Sequence, residues 1–194
     1  MHTLSLLPLV ILASNATVVS ANPLLPQGNF RTECLQIGKG GRHGLIAEVT
    51  IEGNTISASA QTYAHDNCDI PTVRADYRGI ITEARTNGDR IELTQETGPF
   101  LYTLLSDEVT TYYNANAGSA GCGFDDWQTG VPRDAAGRTC APYTFPAIGT
   151  ELKDSVWANQ TGIEFGRMPL VWDSAPDAGY PEKPSGILFT RVTD

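Results

Sequence analysis

The feature that most constrains this chain is a pair of alternating segments joined by two turn residues. In Leu45–Glu52, Leu45, Ala47, Val49 and Ile51 fall on one side, and Ile46, Glu48, Thr50 and Glu52 on the other. Gly53-Asn54 follows, and Thr55–Tyr63 then repeats the pattern with Ile56, Ala58 and Ala60 on one side. A strand sends successive side chains to opposite faces, so each segment has one face to bury, and the two residues between them are a tight-hairpin signal. A lone hairpin is marginal in water, so the rest of the chain must supply its partners.

More of the same follows. Phe30–Leu35 reads as the first strand. Thr72–Glu83 carries Val73, Ala75, Tyr77, Gly79 and Ile81 on one face, with Gly79 marking a bend or bulge. Thr86-Asn87-Gly88-Asp89 is a turn. Arg90–Thr97 follows with Ile91 and Leu93, Gly98-Pro99 breaks it, and Phe100–Leu105 is another short apolar run. Glu151–Trp157, Gly162–Arg167 and Gly186–Thr193 read as the remaining strands. The early gaps are too short for crossover helices, so neighbouring strands are expected to be antiparallel.

One segment predicts a helix. Ser106 is its N-cap, Asp107 and Glu108 stand in the first turn, Val109, Tyr112, Tyr113 and Asn116 recur at helical spacing, and Gly118 ends it. Two stretches are irregular. One runs from Gly118 to Pro146. The other, Pro169 to Ser185, holds Pro169, Pro176, Pro181 and Pro184 with Trp172 and Tyr180. About eight strands in meander order, one short helix and two long loops predict an all-β fold, an antiparallel up-and-down barrel. An immunoglobulin-like sandwich is the alternative, but no Trp lies between Cys34 and Cys68 to supply its Cys-Trp-Cys spacing.

The first 21 residues contain no Asp, Glu, Lys or Arg, and Leu4–Ala13 is apolar with Val19-Ser20-Ala21 behind it. This predicts a signal peptide cut after Ala21 and a single domain over residues 22–194. The apolar run is about half of the roughly 20 residues that a spanning helix needs, and no later segment is apolar enough to span. The mature protein is therefore expected to be secreted or periplasmic. Four cysteines remain, Cys34, Cys68, Cys122 and Cys140, and an even count after a signal peptide predicts disulfides. Of three pairings, Cys34–Cys68 with Cys122–Cys140 is favoured, because each closes a moderate loop. Zinc fits poorly: no pair has knuckle spacing, and neither His43 nor His65 stands at helical spacing from a Cys.

Charge narrows the partners. The chain has 13 Lys plus Arg against 22 Asp plus Glu, a net charge of -9, so nucleic acid is not an expected partner. With 41% hydrophobic residues it is not a disordered chain either.

Several short motifs carry a resemblance. They are Phe30-Arg31-Thr32-Glu33-Cys34, Tyr63-Ala64-His65-Asp66-Asn67-Cys68, Cys122-Gly123-Phe124-Asp125-Asp126-Trp127, Val131-Pro132-Arg133-Asp134, Gly137-Arg138-Thr139-Cys140, and Pro184 ahead of Ile187-Leu188-Phe189. Together they resemble small exported bacterial proteins with a calycin-like barrel, lipocalin- or avidin-like. The resemblance covers most of the mature chain. It implies the barrel, an exported location, and a first-strand Cys paired with one in an aspartate-rich Cys turn. That group has no established activity, so fold and location are implied rather than chemistry. The Gly-x-Trp of true lipocalins is absent, and Phe30 after Gly28-Asn29 stands roughly in its place.

Four sets of residues are candidate sites. Gly38-Lys39-Gly40-Gly41-Arg42-His43-Gly44 is glycine-rich and basic, suited to an anion nest or to a plain connection. His65-Asp66-Asn67-Cys68-Asp69 is an acid–base or metal cluster, or else a polar turn held by a disulfide. Asp125-Asp126 with Asp134 offers oxygen ligands for calcium without EF-hand spacing. Among the aromatics, Trp157 is expected in the core or in barrel packing, and Tyr112, Trp127, Trp172 and Tyr180 are the candidate ligand-binding residues at a barrel mouth.

No Gly-x-Ser-x-Gly elbow or other catalytic constellation is present, and no cofactor is implied. The expected function is lipocalin-like binding of a small apolar or amphipathic ligand at a mouth lined by the proline-rich and Cys122–Cys140 loops. The alternative is a protein–protein interaction or inhibitor module of the cell envelope that uses those disulfide-tied loops, with an envelope protein as its partner.

Overall fold

A computed structural model describes residues 24–141, 143–167 and 179–193. The expected signal peptide lies outside the described residues. In chain order the elements are β1 (Gly28–Arg31), β2 (Leu35–Ile37), a 3-10 turn (Lys39–Gly41), β3 (His43–Glu52), β4 (Thr55–Tyr63), β5 (Pro71–Asn87) and β6 (Arg90–Leu104). Then come α1 (Asp107–Ala115), β7 (Arg133–Asp134), β8 (Thr139–Cys140), β9 (Tyr143–Thr144), β10 (Glu151–Ala158), β11 (Gly162–Phe165) and β12 (Leu188–Arg191).

The alternating segments form the hairpin they predict. β3 and β4 pair without a break from Gly44 opposite Tyr63 to Glu52 opposite Thr55. From there the sheet runs β4, β5, β6, β10, β11, β12 and β1, each antiparallel to the next, and β1 returns to pair with β3. Eight strands therefore close on themselves in chain order. This is the up-and-down barrel expected from the sequence, and closure leaves the wall without the long unpaired edges that invite aggregation.

The inward positions are apolar on every wall strand. Phe30, Ala47, Val49, Ile51, Ile56, Leu93, Leu104, Val156, Ile163, Phe165 and Phe189 are each at most 1% exposed, and Ile81 of β5 is nearly so. A side chain that buried has no water-sized void against it, so at these levels the barrel is filled by its own residues. The polar exceptions inside are paired. The Tyr77 hydroxyl donates to Gln95 Oε1 at 2.8 Å, and burial pushes the Tyr77 phenol well above its ordinary range.

Three elements depart from the expectation. The first strand is split. After Arg31 the Thr32 hydroxyl accepts the Ala47 amide at 3.0 Å and Cys34 turns off to Cys68, so β1 and β2 pair separately with β3. Gly98-Pro99 does not break the strand it lies in. β6 continues through it as a bulge, with Tyr77 opposite Phe100 and Gly79 opposite Thr97. Pro99 has no ladder amide to lose there, and Gly98 approaches the Arg78 carbonyl too closely to admit a Cβ. Trp157, expected in the core or in barrel packing, is outside the core and sits half-buried on the outer face of β10, because Val156 beside it points inward.

The helix forms as predicted, with the Ser106 hydroxyl accepting from the Val109 amide at 3.3 Å. The two ends of the barrel differ sharply. Among the described residues one end has three tight turns, at residues 53–54, 88–89 and 159–161, with the short segment that leads into β1 packed beside them through Leu25 and Gln27. The other carries the split first strand, the 64–70 turn, and the connection from β6 up to about residue 146, whose last residues, 147–150, run down the wall to Thr97. There β7 pairs with β6 at Leu101–Asp134 and Tyr102–Arg133, extending the wall beyond the reach of β10.

Candidate functional site

The loaded end is assembled from two motifs that lie far apart in the sequence. β3 begins where β4 ends, so the 38–42 turn and the 64–70 turn are neighbours, and the Cys34–Cys68 disulfide ties the 64–70 turn to the start of β2, the strand that leads into the 38–42 turn. Gly44 is required beneath that bond. A Cβ there would lie 2.5 Å from Cys68 Sγ and 2.8 Å from the His65 carbonyl. Arg42 Nε donates to His43 Nε2 at 2.9 Å, so it is His43 Nδ1 that donates to the Ala64 carbonyl at 2.9 Å. His65 Nδ1 lies 2.9 Å from Asp69 Oδ1. Desolvation raises the Asp69 carboxyl, but hydrogen bonds from His65 and Asn67 and the His65 charge outweigh it and hold the group below its ordinary range. An open depression of about 560 Å³ lies between the turns, lined by Gly40, Gly41, Arg42, His65, Asp66 and Asn67. The glycine-rich and His-Asp candidates are thus one surface. The two cysteines beside His65 are bonded to each other and offer no thiolate nucleophile.

The aromatic candidates separate. Tyr112 stands out from α1 at 58% exposure. Tyr113 turns inward instead, its hydroxyl 3.0 Å from that of Tyr102, and burial raises both phenols. Trp127 is 3% exposed, with its indole N–H donating to the Gly121 carbonyl at 2.9 Å. Its ring belongs to a chain of contacts running up from the barrel interior. The centroid distances are 4.7 Å from Tyr77 to Phe100, 5.3 Å to Phe145, 5.6 Å to Tyr102, 6.1 Å to Trp127 and 5.3 Å to Phe124. The Arg133 and Arg138 guanidiniums lie 4.4 and 4.0 Å over Phe124. The loop expected to line a mouth therefore packs into the barrel end with its disulfide, since Cys122 and Cys140 are buried among these rings. Phe100, Tyr102 and Phe145 were not singled out in the sequence. The alternation of Phe100, Tyr102 and Leu104 was the available signal for two of them.

Two of the three acidic candidates, Asp126 and Asp134, are occupied by protein partners. Both Asp126 oxygens accept from Arg133, and that hydrogen bond pulls the carboxyl below its ordinary range. Asp134 Oδ1 accepts from the Ala136 amide at 2.9 Å. Among the described residues no group of three or more His, Cys, Asp or Glu is placed to hold a metal ion.

Trp172 lies outside the described residues. Tyr180 lies on the outside of the wall. Its hydroxyl is 2.7 Å from Thr94 Oγ1, Arg85 lies 5.1 Å over its ring, and the Ser155 hydroxyl donates to the neighbouring Pro181 carbonyl at 2.8 Å. Glu92 is on this same outer face. Hydrogen bonds from Asn87 first, then Arg90 and Arg85, bring its carboxyl down to about 2 against an opposing desolvation.

No protein-family model and no curated protein sequence matches the chain.

Proposed function

We propose that the protein is an exported interaction module, binding or inhibiting another protein of the cell envelope or extracellular space through the loaded end of its barrel. The observation that carries this reading is the filled interior. Residues from seven of the eight wall strands meet there at no more than 1% exposure. A small apolar ligand needs a cavity, typically about 300 Å³ or more, and these side chains occupy the space it would take. What varies in this fold is the outside. One end has tight turns, while the other holds two disulfides and most of the about 45 residues between β6 and β10, which exceeds the usual length of a barrel connection.

Two features of that end suit a protein partner. The turns are fixed before binding by covalent and hydrogen bonds, which lowers the ordering cost of association. They also leave Ile70, Tyr112, Val131 and Tyr143 exposed among polar neighbours. Cysteine bonding and the apolar leader support export.

The test is affinity capture from the native envelope or culture fluid with the oxidised protein as bait. The reading predicts a partner whose recovery is lost with Ile70→Asp or Tyr112→Ala and kept with a substitution at the opposite end, such as Asp89→Asn. Saturable uptake of an apolar ligand by the purified protein, with no partner sensitive to the loaded end, overturns it.

A further inference from the structure

At the plain half of the barrel, on the outer wall, β5 and β6 carry a second surface. The bulge at Gly98-Pro99 and the 147–150 turn create a groove of about 260 Å³ lined by Arg78, Ile80, Glu96, Pro99 and Ile148. Ile80 is 47% exposed and Ile148 60% exposed. Ile148 is not on a loose loop. Its turn is bonded to Thr97 four times: Gly149 N–H to the Thr97 carbonyl at 2.8 Å, Thr97 N–H to the Thr150 carbonyl at 2.9 Å, the Thr97 hydroxyl to the Ala147 carbonyl at 2.6 Å, and Thr150 N–H to Thr97 Oγ1 at 2.9 Å. A turn fixed this firmly presents its isoleucine to solvent in one position.

The charges around the groove say what covers it. Arg78 and Glu96 lie on its rim, and among the described residues neither makes an ion pair or side-chain hydrogen bond. Glu96 is also directly opposite Glu151 in the β6–β10 ladder, a like-charge neighbour, while Glu151 reaches Lys153 at 3.6 Å. Like charges facing each other across strands are destabilising, so Glu96 gains from any cation brought to it. The same face carries that cation in Arg78. A surface with an apolar centre and one unpaired charge of each sign on its rim is complementary to itself under a two-fold rotation.

We infer that this groove is a self-association surface, in which a second copy of the chain docks isologously. Ile80 and Ile148 of both copies form the apolar centre, and Arg78 of each copy pairs with Glu96 of the other. An apolar centre inside a polar rim is the ordinary anatomy of a protein interface. A stable dimer buries about 800 Å² per partner, so the contact extends beyond the groove over the adjoining outer face of β4. This surface is separate from the loaded end. Thr55, beside Ile80, and Tyr63 are eight residues apart on β4, about 26 Å at strand rise. Dimerisation therefore leaves the other end free for a different partner, and the two readings can fail independently.

The experiment is sedimentation velocity on the purified oxidised chain over a concentration series. A concentration-dependent shift from monomer to dimer is expected. Ile148→Asp abolishes it, and Arg78→Glu and Glu96→Arg each weaken it by about tenfold or more. The double swap Arg78→Glu with Glu96→Arg restores association to near the parent value. All three substituted positions are solvent-facing, and far-UV circular dichroism with a thiol count checks each variant's fold; Arg78→Ala and Glu96→Gln replace any swap that fails that check. A monomer at every concentration overturns the inference, as does a double swap no stronger than either single.

Discussion

Tyr180 is bonded to Thr94 across 86 residues of chain, hydroxyl to hydroxyl at 2.7 Å, from outside the barrel wall. The end of the proline-rich stretch is thus a clamp over β6 and β10 rather than the rim of a mouth. Arg85 and Lys153 lie 5.1 and 5.9 Å over the Tyr180 ring, and Pro181 accepts from Ser155.

Removing this clamp costs stability. Tyr180→Phe loses one hydrogen bond, about 1 kcal/mol, and Tyr180→Ala also loses the ring, for about 2 to 3 kcal/mol in all. Urea unfolding measures both, and equal midpoints for the parent and Tyr180→Ala exclude the clamp.

Asp154 makes stability depend on pH. It points into the barrel, and its Oδ1 accepts the Ser155 and Arg167 amides at 2.7 and 2.8 Å. Burial raises its carboxyl from 3.8 to about 7, against smaller lowering by those amides and the Arg167 charge. The native state then holds a proton that the unfolded chain releases between those values, so stability falls as pH rises from about 4 through about 7. The change corresponds to at most on the order of 4 kcal/mol. Asp154→Asn keeps an oxygen for the two amides and cannot ionise. It is expected to match the parent near pH 4, exceed it at pH 8, and flatten the slope of melting temperature against pH. A parent more stable at pH 8 than its Asn variant contradicts this.

The two disulfides differ in access. Cys34 and Cys68 are half-buried at the surface, whereas Cys122 and Cys140 are 2% and 3% exposed within the aromatic cluster. Mild reduction of the folded protein opens Cys34–Cys68 first, read by alkylation and peptide mass spectrometry. Their loops of 34 and 18 residues are each worth about 3 to 4 kcal/mol by chain entropy. Breaking the inner bond also opens the packing around it, so Cys122→Ala with Cys140→Ala is the more damaging pair.

Gly44→Ala tests the staple directly. The added methyl meets Cys68 Sγ and the His65 carbonyl, which costs about 2 kcal/mol or more in a site that cannot shift. Gly118→Ala is the control, because nothing lies within 4 Å of a Cβ there. A lower melting temperature and incomplete Cys34–Cys68 pairing are expected for the first and neither for the second.

How far the sequence could be read follows from where its signals are local. Ala47, Val49 and Ile51 repeat with the strand period and face inward, and Ser106 announces its helix by a contact three residues on. Gly98-Pro99 reads locally as a break but is a bulge, because β5 opposite it, not the dipeptide itself, carries the ladder through. Trp127 had the look of a loop aromatic. What buries it are Tyr102 and Phe124, and the partner of its backbone amide, Asn114, sits 13 residues away on α1. Tyr180 met its partner only through an 86-residue separation. The glycine-rich and His-Asp motifs were each visible, but their union depends on the β3–β4 register and the Cys34–Cys68 bond.

The central claim is that this barrel is filled and acts by its surface. Titration of the oxidised protein with a fluorescent long-chain fatty acid tests it most directly. The account predicts no saturable binding and no shift in melting temperature. Stoichiometric binding that a non-fluorescent fatty acid displaces, and that is lost on filling an inward small position by Ala58→Phe, contradicts it.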